Sequence, residues 1–359
     1  MRGPFFAVDL FAGCGGLTQG LRDAGFHVFA AIENDSYAAN VYGLNHPGAH
    51  IYRGDIQDLD PTTIKNDFPA ETSPLHLLAA CPPCQGFSSL RRKNKKRSVF
   101  DKRNQLILEF VRFVEELRPL CIMLENVPWL ENYHLYKKAV RRLRSLGYEL
   151  TDAVLDVADY GVPQHRDRLI LLGSRLEKTS LARPYWRKRT VRDEIGDLPT
   201  PKNSRDALHR LTMQHTPKIS ELIRNIPRNG GSRKSLPKRF HLKCHQNKKA
   251  GFCDVYGRLR WSDQSVTITG GCLNPSKGRF LHPTQNRAIT PREAALLQTF
   301  PRRYRFLSDD FEMPKDVLAL LIGNALPPKF SAAHSRQLLK HIKANALKAG
   351  ASALCDIAL

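Results

Sequence analysis

Apolar residues follow two rhythms along the first half of the chain. Short runs at 5–10, 27–33, 75–81, 120–127 and 168–173 are dense in Leu, Ile, Val, Ala and Phe, as strands buried in a sheet would be. Between such runs the apolar positions spread out. Leu106, Ile107, Phe110, Val111, Val114 and Leu117 recur at helical spacing, and Pro119 ends the pattern. Strands alternating with helices predict βαβ units, and so an α/β fold with a doubly wound, mostly parallel sheet.

Beyond about residue 176 the rhythm dissolves into Arg, Lys, Pro, Gly and His, with Asn229-Gly230-Gly231 as a turn. The segment reads as a specialised insertion. Order is expected again at 265–269, in a helix at 291–298 and in a closing amphipathic helix at about 331–347. The predicted organisation is a large domain of residues 1–178 plus 305–347, interrupted by a smaller one at 179–304.

Composition narrows the class. A chain of 359 residues that is 42% hydrophobic can build cores for two such domains. Its 56 Lys and Arg against 34 Asp and Glu leave a formal charge of +22. That excess points to a polyanionic partner, nucleic acid before a membrane surface. Eight irregularly spaced cysteines do not make a disulfide framework, which suggests a reducing, intracellular setting. No export signal follows Met1-Arg2-Gly3-Pro4, and no run reaches the roughly 18 apolar residues a membrane span needs. A soluble protein is expected.

Chemistry first shows at the segment from Val8 to Leu17, where a strand runs into Phe11-Ala12-Gly13-Cys14-Gly15-Gly16 and then a helix. Glycines there let the backbone approach a ligand. Thr18 stands where a dinucleotide fingerprint would have its third glycine, so a dinucleotide is disfavoured. Glu33, ending the next strand, suits ribose hydroxyls, and Asp55, between Gly54 and Ile56, suits an adenine amino group. An adenosine-containing cofactor fits this set; a glycine turn kept for packing alone is the competing reading.

Cys81-Pro82-Pro83-Cys84-Gln85 follows another buried run, placing thiols where open α/β sheets bind ligands. Cys-x-x-Cys alone equally describes a redox pair. Glu125-Asn126 at the end of a strongly apolar strand, with Gln164-His165-Arg166-Asp167-Arg168, tips the balance. An acid and two arginines suit an aromatic ring under nucleophilic attack, whose developing charge must be neutralised. A strand-end cap and a surface ion-pair network are the plainer readings of the same residues.

Six motifs now stand in one order: the glycine loop, Pro83-Cys84-Gln85, Glu125-Asn126-Val127, Gln164-x-Arg166-x-Arg168, Arg292-Glu293 through Leu297-Gln298, and Gly323-Asn324. In that order the chain resembles the DNA cytosine-5 methyltransferases from Asp9 to Pro328. The resemblance implies an S-adenosylmethionine-dependent, Rossmann-like catalytic domain with a target-recognition domain at 179–304. It implies that Cys84 attacks C6 of cytosine, that Glu125 meets N3, and that Arg168 and Arg166 hold the base and its catalytic partners. It assigns cofactor contacts to Phe11, Gly13, Gly15, Gly16, Leu17, Glu33, Asp55, Ile56, Pro83, Leu106 and Asn324. The substrate it implies is double-stranded DNA with the target base rotated out of the stack, in a restriction-modification setting, in cytoplasm or nucleoid.

The cationic run Leu90 to Arg97 falls where that family carries a mobile, phosphate-contacting loop; a solvated cluster is the alternative. Thr267 resembles the end of a recognition domain. His241, Cys244, His245 and Cys253 match no standard zinc spacing, so no metal is expected. A monomer without an obligate protein partner is the default. Two other functions stay open: an idle DNA-binding module that retains the fold, and the same chemistry on tRNA.

Overall fold

A computed structural model of the chain describes residues 4–68, 74–83, 105–240 and 254–349. Cys84, the 90–97 run and the four candidate zinc residues lie outside the described residues. Among those described, the strands are β1 Phe5–Leu10, β2 Phe26–Glu33, β3 His50–Arg53, β4 Leu77–Ala80, β5 Cys121–Asn126, β6 Glu149–Asp156 and β7 Asp167–Ser174. The helices used below are α1 Gly16–Ala24, α2 Ser36–Asn45, α3 Pro61–Asp67, α4 Leu106–Leu117, α5 His134–Ser145, α6 Val191–Ile195, α7 Ala207–Arg210, α8 Pro217–Asn225, α9 Pro291–Leu297, α10 Lys315–Asn324 and α11 Pro328–Ala349.

The chain divides into two compact units. The first, 1–156 with 167–184 and 326–359, carries one seven-stranded sheet in the order β3-β2-β1-β4-β5-β7-β6. Pairs among β1 to β5 are all parallel, as the alternation of strands and helices predicts. β7 is antiparallel to both β5 and β6. Val8, Leu10, Leu78, Phe110, Phe113, Ile122 and Leu171 are among the fully buried side chains of its main core.

Local chemistry sets the helix ends. Asp35 and Asp60 cap α2 and α3 by accepting from Ala38 N and Thr62 N. Arg118, at φ 46°, turns the chain out of α4 before Pro119. α11 returns across α1 at a point where Gly20 leaves no room: a Cβ there would stand 2.5 Å from Ser331 Cβ. The Ser331 hydroxyl meanwhile donates to Leu17 O at 3.1 Å, joining the two helices.

The second unit is 157–166 with 185–325, and no named strand among the described residues falls inside it. A fully buried Arg258 ties its helices and loops together. Its guanidinium donates to the carbonyls of Ile223, Ile226, His282 and Gln285 and to Asn286 Oδ1, between 2.6 and 3.0 Å. Leu222, Ile223, Ile226, Leu236, Val255, Tyr256 and Leu281 form an apolar cluster in the same unit. Stretch 265–269, expected to be ordered, has only one isolated bridge, Ser265 to Gln164.

The boundaries at 178, 179, 304 and 305 need correction. Residues 157–166 and 305–325 belong to the second unit and 179–184 to the first, and Gln164 and Ile322 join the second unit's buried polar lattice. Gln164 Nε2 donates to Gln298 Oε1 at 2.6 Å while its carbonyl accepts from Ile268 N. Gln298 Nε2 donates to Ile322 O at 2.7 Å. Gly323 lies so close to the Thr269-Gly270 backbone that a Cβ would be 2.1 Å from Thr269 C. Periodicity marks the helices but not the core each one joins.

Candidate active site at the carboxyl edge of the sheet

Every parallel strand of the first unit ends at one edge, and most of the expected site residues are at or just past those ends. From β1 the chain turns through Phe11 at φ 60°, Gly13 at 55° and Gly15 at 89°, left-handed conformations that glycine tolerates best. Ala12 N donates to Ile32 O, and Gly13 N to Glu33 Oε2 at 2.7 Å. Glu33 Oε1 accepts from Asp35 N at 2.7 Å, so the carboxylate is held rigidly between the loop and α2. Burial raises its pKa, opposed by those two N–H donors.

Beneath the loop Asp9 is fully buried. Its Oδ2 accepts from Thr18 Oγ1 at 2.6 Å, and Thr18 in turn lies 2.9 Å from the Tyr42 hydroxyl. Burial, reinforced by the Glu33 charge, lifts the Asp9 pKa to about 7. Cys14, inside the loop, is buried and its thiol is pushed up to about 12. It is an inert packing group.

The same observations bear on a cofactor. A Cβ at Gly13 or at Gly54 would meet nothing within 4 Å, so open space lies against both turns. The Glu33 carboxylate, with about four lone-pair sites, keeps acceptor capacity for a hydroxyl beyond its backbone N–H donors. Asp55 is exposed with Oδ1 on Gln57 N at 3.0 Å, beside the buried Ile56. These residues fit an adenosine-containing group. Leu17 is itself buried, which leaves its backbone as the part available to a ligand. Leu106 opens α4, half-buried against the main core.

On the other side of β1, β4 ends in Cys81-Pro82-Pro83. Asn126, the last residue of β5, donates from Nδ2 to Pro82 O at 2.9 Å and accepts Val127 N at 2.8 Å. One side chain thereby ties the end of β5 to the segment leading into Cys84. The sequence pattern marks Asn126 only as half of a polar pair; the tie depends on β4 and β5 being neighbours.

Glu125 meets Arg168 because β7 runs against the others. Glu125 pairs with Ile170 and Asn126 with Leu169, so the start of β7 arrives where β5 ends. Arg168 Nε lies 2.8 Å from Glu125 Oε1, with the two side chains 14% and 10% exposed. Burial pulls the Arg168 guanidinium below its usual pKa, while the Glu125 charge opposes that. Burial also drives the Cys81 thiol well up, aided by Glu125 and Asp9. A redox pair needs a stabilised thiolate, and Cys81 has the opposite environment.

Arg166, expected with Arg168 at the base, is committed elsewhere. It belongs to the second unit, where Nη1 donates to Ile268 O at 2.9 Å and Gly323 O at 3.0 Å and Nη2 to Ala325 O at 3.4 Å. Two residues from Arg168, it is a backbone tie. Motif residues Gln164, Gln298 and Gly323 belong to the same lattice, and Arg292 and Glu293 hold Asp206 and Arg287. Asn324 is exposed at the end of α10, in the second unit. Thr267 donates to His165 O at 2.7 Å. No helix among the described residues is long and apolar enough to cross a membrane.

Known proteins are similar to the chain in fold and in sequence. A prophage-encoded protein of E. coli, described as a putative DNA modification methyltransferase, has a similar fold at TM-score 0.71 and 24% identity, covering 94% of this chain and 99% of its own. The type II methylase M.HgiDII of Herpetosiphon aurantiacus is 34% identical over 347 residues, 94% of each chain. The type II methyltransferase M.XorII of Xanthomonas oryzae pv. oryzae is 30% identical over 370 residues, covering 94% of this chain and 85% of its own. The family model of C-5 cytosine-specific DNA methylases matches residues 5–340. With that match across nearly its whole length, the chain belongs to the C-5 cytosine-specific DNA methylase family and is a DNA cytosine-5 methyltransferase.

Proposed function

We propose that the protein transfers a methyl group from S-adenosyl-L-methionine to C5 of a cytosine within one short sequence of double-stranded DNA, as the modification enzyme of a type II system. The observation that carries this reading is the buried Arg168–Glu125 pair, set at the sheet edge beside the proline segment that Asn126 holds. Its relatives' type II names support the setting.

In this reading Cys84 adds as thiolate to C6, and the electron pair displaced from the C5–C6 bond makes C5 nucleophilic. Glu125, oriented by Arg168, meets the ring at N3 and stabilises the charge that forms there. Held by the glycine loop, Glu33 and Asp55, the cofactor would supply an electrophilic methyl group to C5, the electron pair of the broken C–S bond remaining on its sulfur. Loss of the C5 proton then returns an electron pair to the ring and expels the Cys84 thiolate, regenerating the enzyme. Because a stacked cytosine cannot be reached, the base leaves the helix first.

Phe11, Gly13, Gly15, Gly16, Leu17, Glu33, Asp55, Ile56 and Pro83 would hold the cofactor, joined by Leu106 and Asn324. The second unit would read the target sequence. The enzyme would act as a monomer inside the cell, in cytoplasm or on the nucleoid. Incubation with labelled S-adenosylmethionine and unmethylated plasmid, followed by bisulfite sequencing, tests the proposal. Methylation at one recurring short site, lost in Cys84→Ala, is expected. Methylation of tRNA instead, or transfer undiminished in Cys84→Ala, would refute it.

A further inference from the structure

The chain re-enters the second unit at Tyr185, and the next residue, Trp186, is 96% exposed, the most exposed large apolar side chain among the described residues. An indole so placed leaves its full apolar area in water, available to a partner that presents a flat apolar face. The exposure belongs to a constrained bend. Tyr185 N donates to Asp159 O at 2.7 Å, and its ring packs 6.4 Å from that of Tyr160. On the far side Lys188 Nζ is 2.8 Å from Asp159 Oδ1, and Arg189 donates to Asp193 O at 3.1 Å. Trp186 is therefore presented by backbone and side chains that are already ordered, so little ordering entropy is lost on binding.

The charge around it selects the partner. Residues 183–192 hold Arg183, Arg187, Lys188, Arg189 and Arg192 and no acid. The ion pairs that Arg187, Lys188 and Arg189 make to Asp193, Asp159 and Glu194 are largely at the surface. Such pairs are weak, and a phosphate can compete with the carboxylates. A second copy of a chain carrying +22 would bring like charges together here. A bilayer is normally met by an amphipathic helix, and residues 181–190 contain no helix. The remaining match is a polyanion with flat apolar faces.

We propose that Trp186 is a DNA-contact residue, its ring packing against sugar and base edges of the duplex while Arg187, Lys188 and Arg189 meet the flanking phosphates. This rests on the reading of duplex DNA as substrate and adds a contact made by ring packing, independent of which bases are read. Its strength should vary little with sequence, because apolar packing on sugars and base edges makes no donor–acceptor match to a particular base.

The test is a binding titration of the full chain on duplexes with and without the methylated site, at several salt concentrations, for wild type, Trp186→Ala, Trp186→Phe and Arg187→Gln. Trp186→Ala is expected to weaken binding to both duplexes about tenfold with the salt slope unchanged, and Trp186→Phe to recover most of the loss. Arg187→Gln should instead reduce the slope by about one. With Trp129 and Trp261 replaced by Phe, the remaining emission of Trp186 should become shielded from acrylamide when duplex is added.

Wild-type affinity in Trp186→Ala, with Trp186 still open to acrylamide on DNA, overturns the assignment. So does shielding without DNA in a species that sediments as a dimer, or shielding by anionic phosphatidylserine vesicles and not by duplex. Failure of the wild type itself to bind duplex removes the substrate reading along with the Trp186 contact. Wild-type binding with a silent Trp186→Ala removes the contact alone.

Discussion

Replacing Arg168 by methionine isolates what the buried ion pair contributes. Its Nε is 2.8 Å from Glu125 Oε1, and with 14% and 10% of the side chains exposed neither charge is well solvated. Methionine keeps much of the stem volume and deletes the charge, leaving a carboxylate buried without its partner. Breaking a buried pair from one side costs about 3–5 kcal/mol. Loss of an oriented charge beside the reacting ring should slow transfer by a further ~10²–10³-fold. Two assays separate the effects: urea unfolding for stability, and single-turnover transfer of labelled methyl to duplex DNA with both substrates saturating. Arg168→Lys should fall between, because an ammonium restores charge without the planar fork. The double variant Glu125→Gln/Arg168→Met leaves no unpaired charge, so stability should return to within about 1.5 kcal/mol of wild type while transfer stays at least as slow as in Arg168→Met. A methionine variant that unfolds at the wild-type urea midpoint and transfers at the wild-type rate would falsify this account, as would strictly additive destabilisation in the double variant.

Asn126→Ala removes the donor to Pro82 O, and loss of this positioning bond should slow single-turnover transfer about tenfold with cofactor affinity in equilibrium dialysis unchanged; a loss of affinity alone would contradict the positioning role. Gly20→Ala puts a methyl 2.5 Å from Ser331 Cβ, which should cost ~1–3 kcal/mol in urea unfolding, and adding Ser331→Gly should recover part of it. The fully buried Asp9 has a pKa of about 7 against an ordinary 3.8, so the folded state binds its proton more tightly than the unfolded one, and its contribution to stability is lost as pH rises from about 4 through 7. Asp9→Asn should remove that decline, making the variant gain on wild type between pH 5 and 8 at roughly constant cofactor-free fold, a trend absent if Asp9 were freely ionised. His76, His282 and His334 act with the opposite sign: burial depresses each to about 4, so stability present above pH ~6.5 should fall as pH drops through 4, as urea midpoints taken across that range would show.

What the amino-acid order determines by itself is whatever repeats over a few residues. The parallel strands at 5–10 and 120–127, the helix Leu106–Leu117 and the glycine loop all arise from neighbours close in sequence, and they stand where the pattern puts them. Glu33 and Asp55 follow from strand ends for the same reason. Tertiary structure decided the rest. Only the antiparallel entry of β7 between β5 and β6 brings Arg168 to Glu125, 43 positions earlier in the chain. Arg166 and Arg168 look equivalent as letters, yet one ties carbonyls of Ile268, Gly323 and Ala325 and the other holds the acid. The chain passes from one unit to the other between them. Gln164 and Gln298 find each other across 134 residues, inside a unit whose boundary no periodicity can reveal. A local pattern records which face of an element is apolar; the burial of polar groups must be satisfied by whatever partners the folded backbone brings within hydrogen-bonding distance, and those are set by topology.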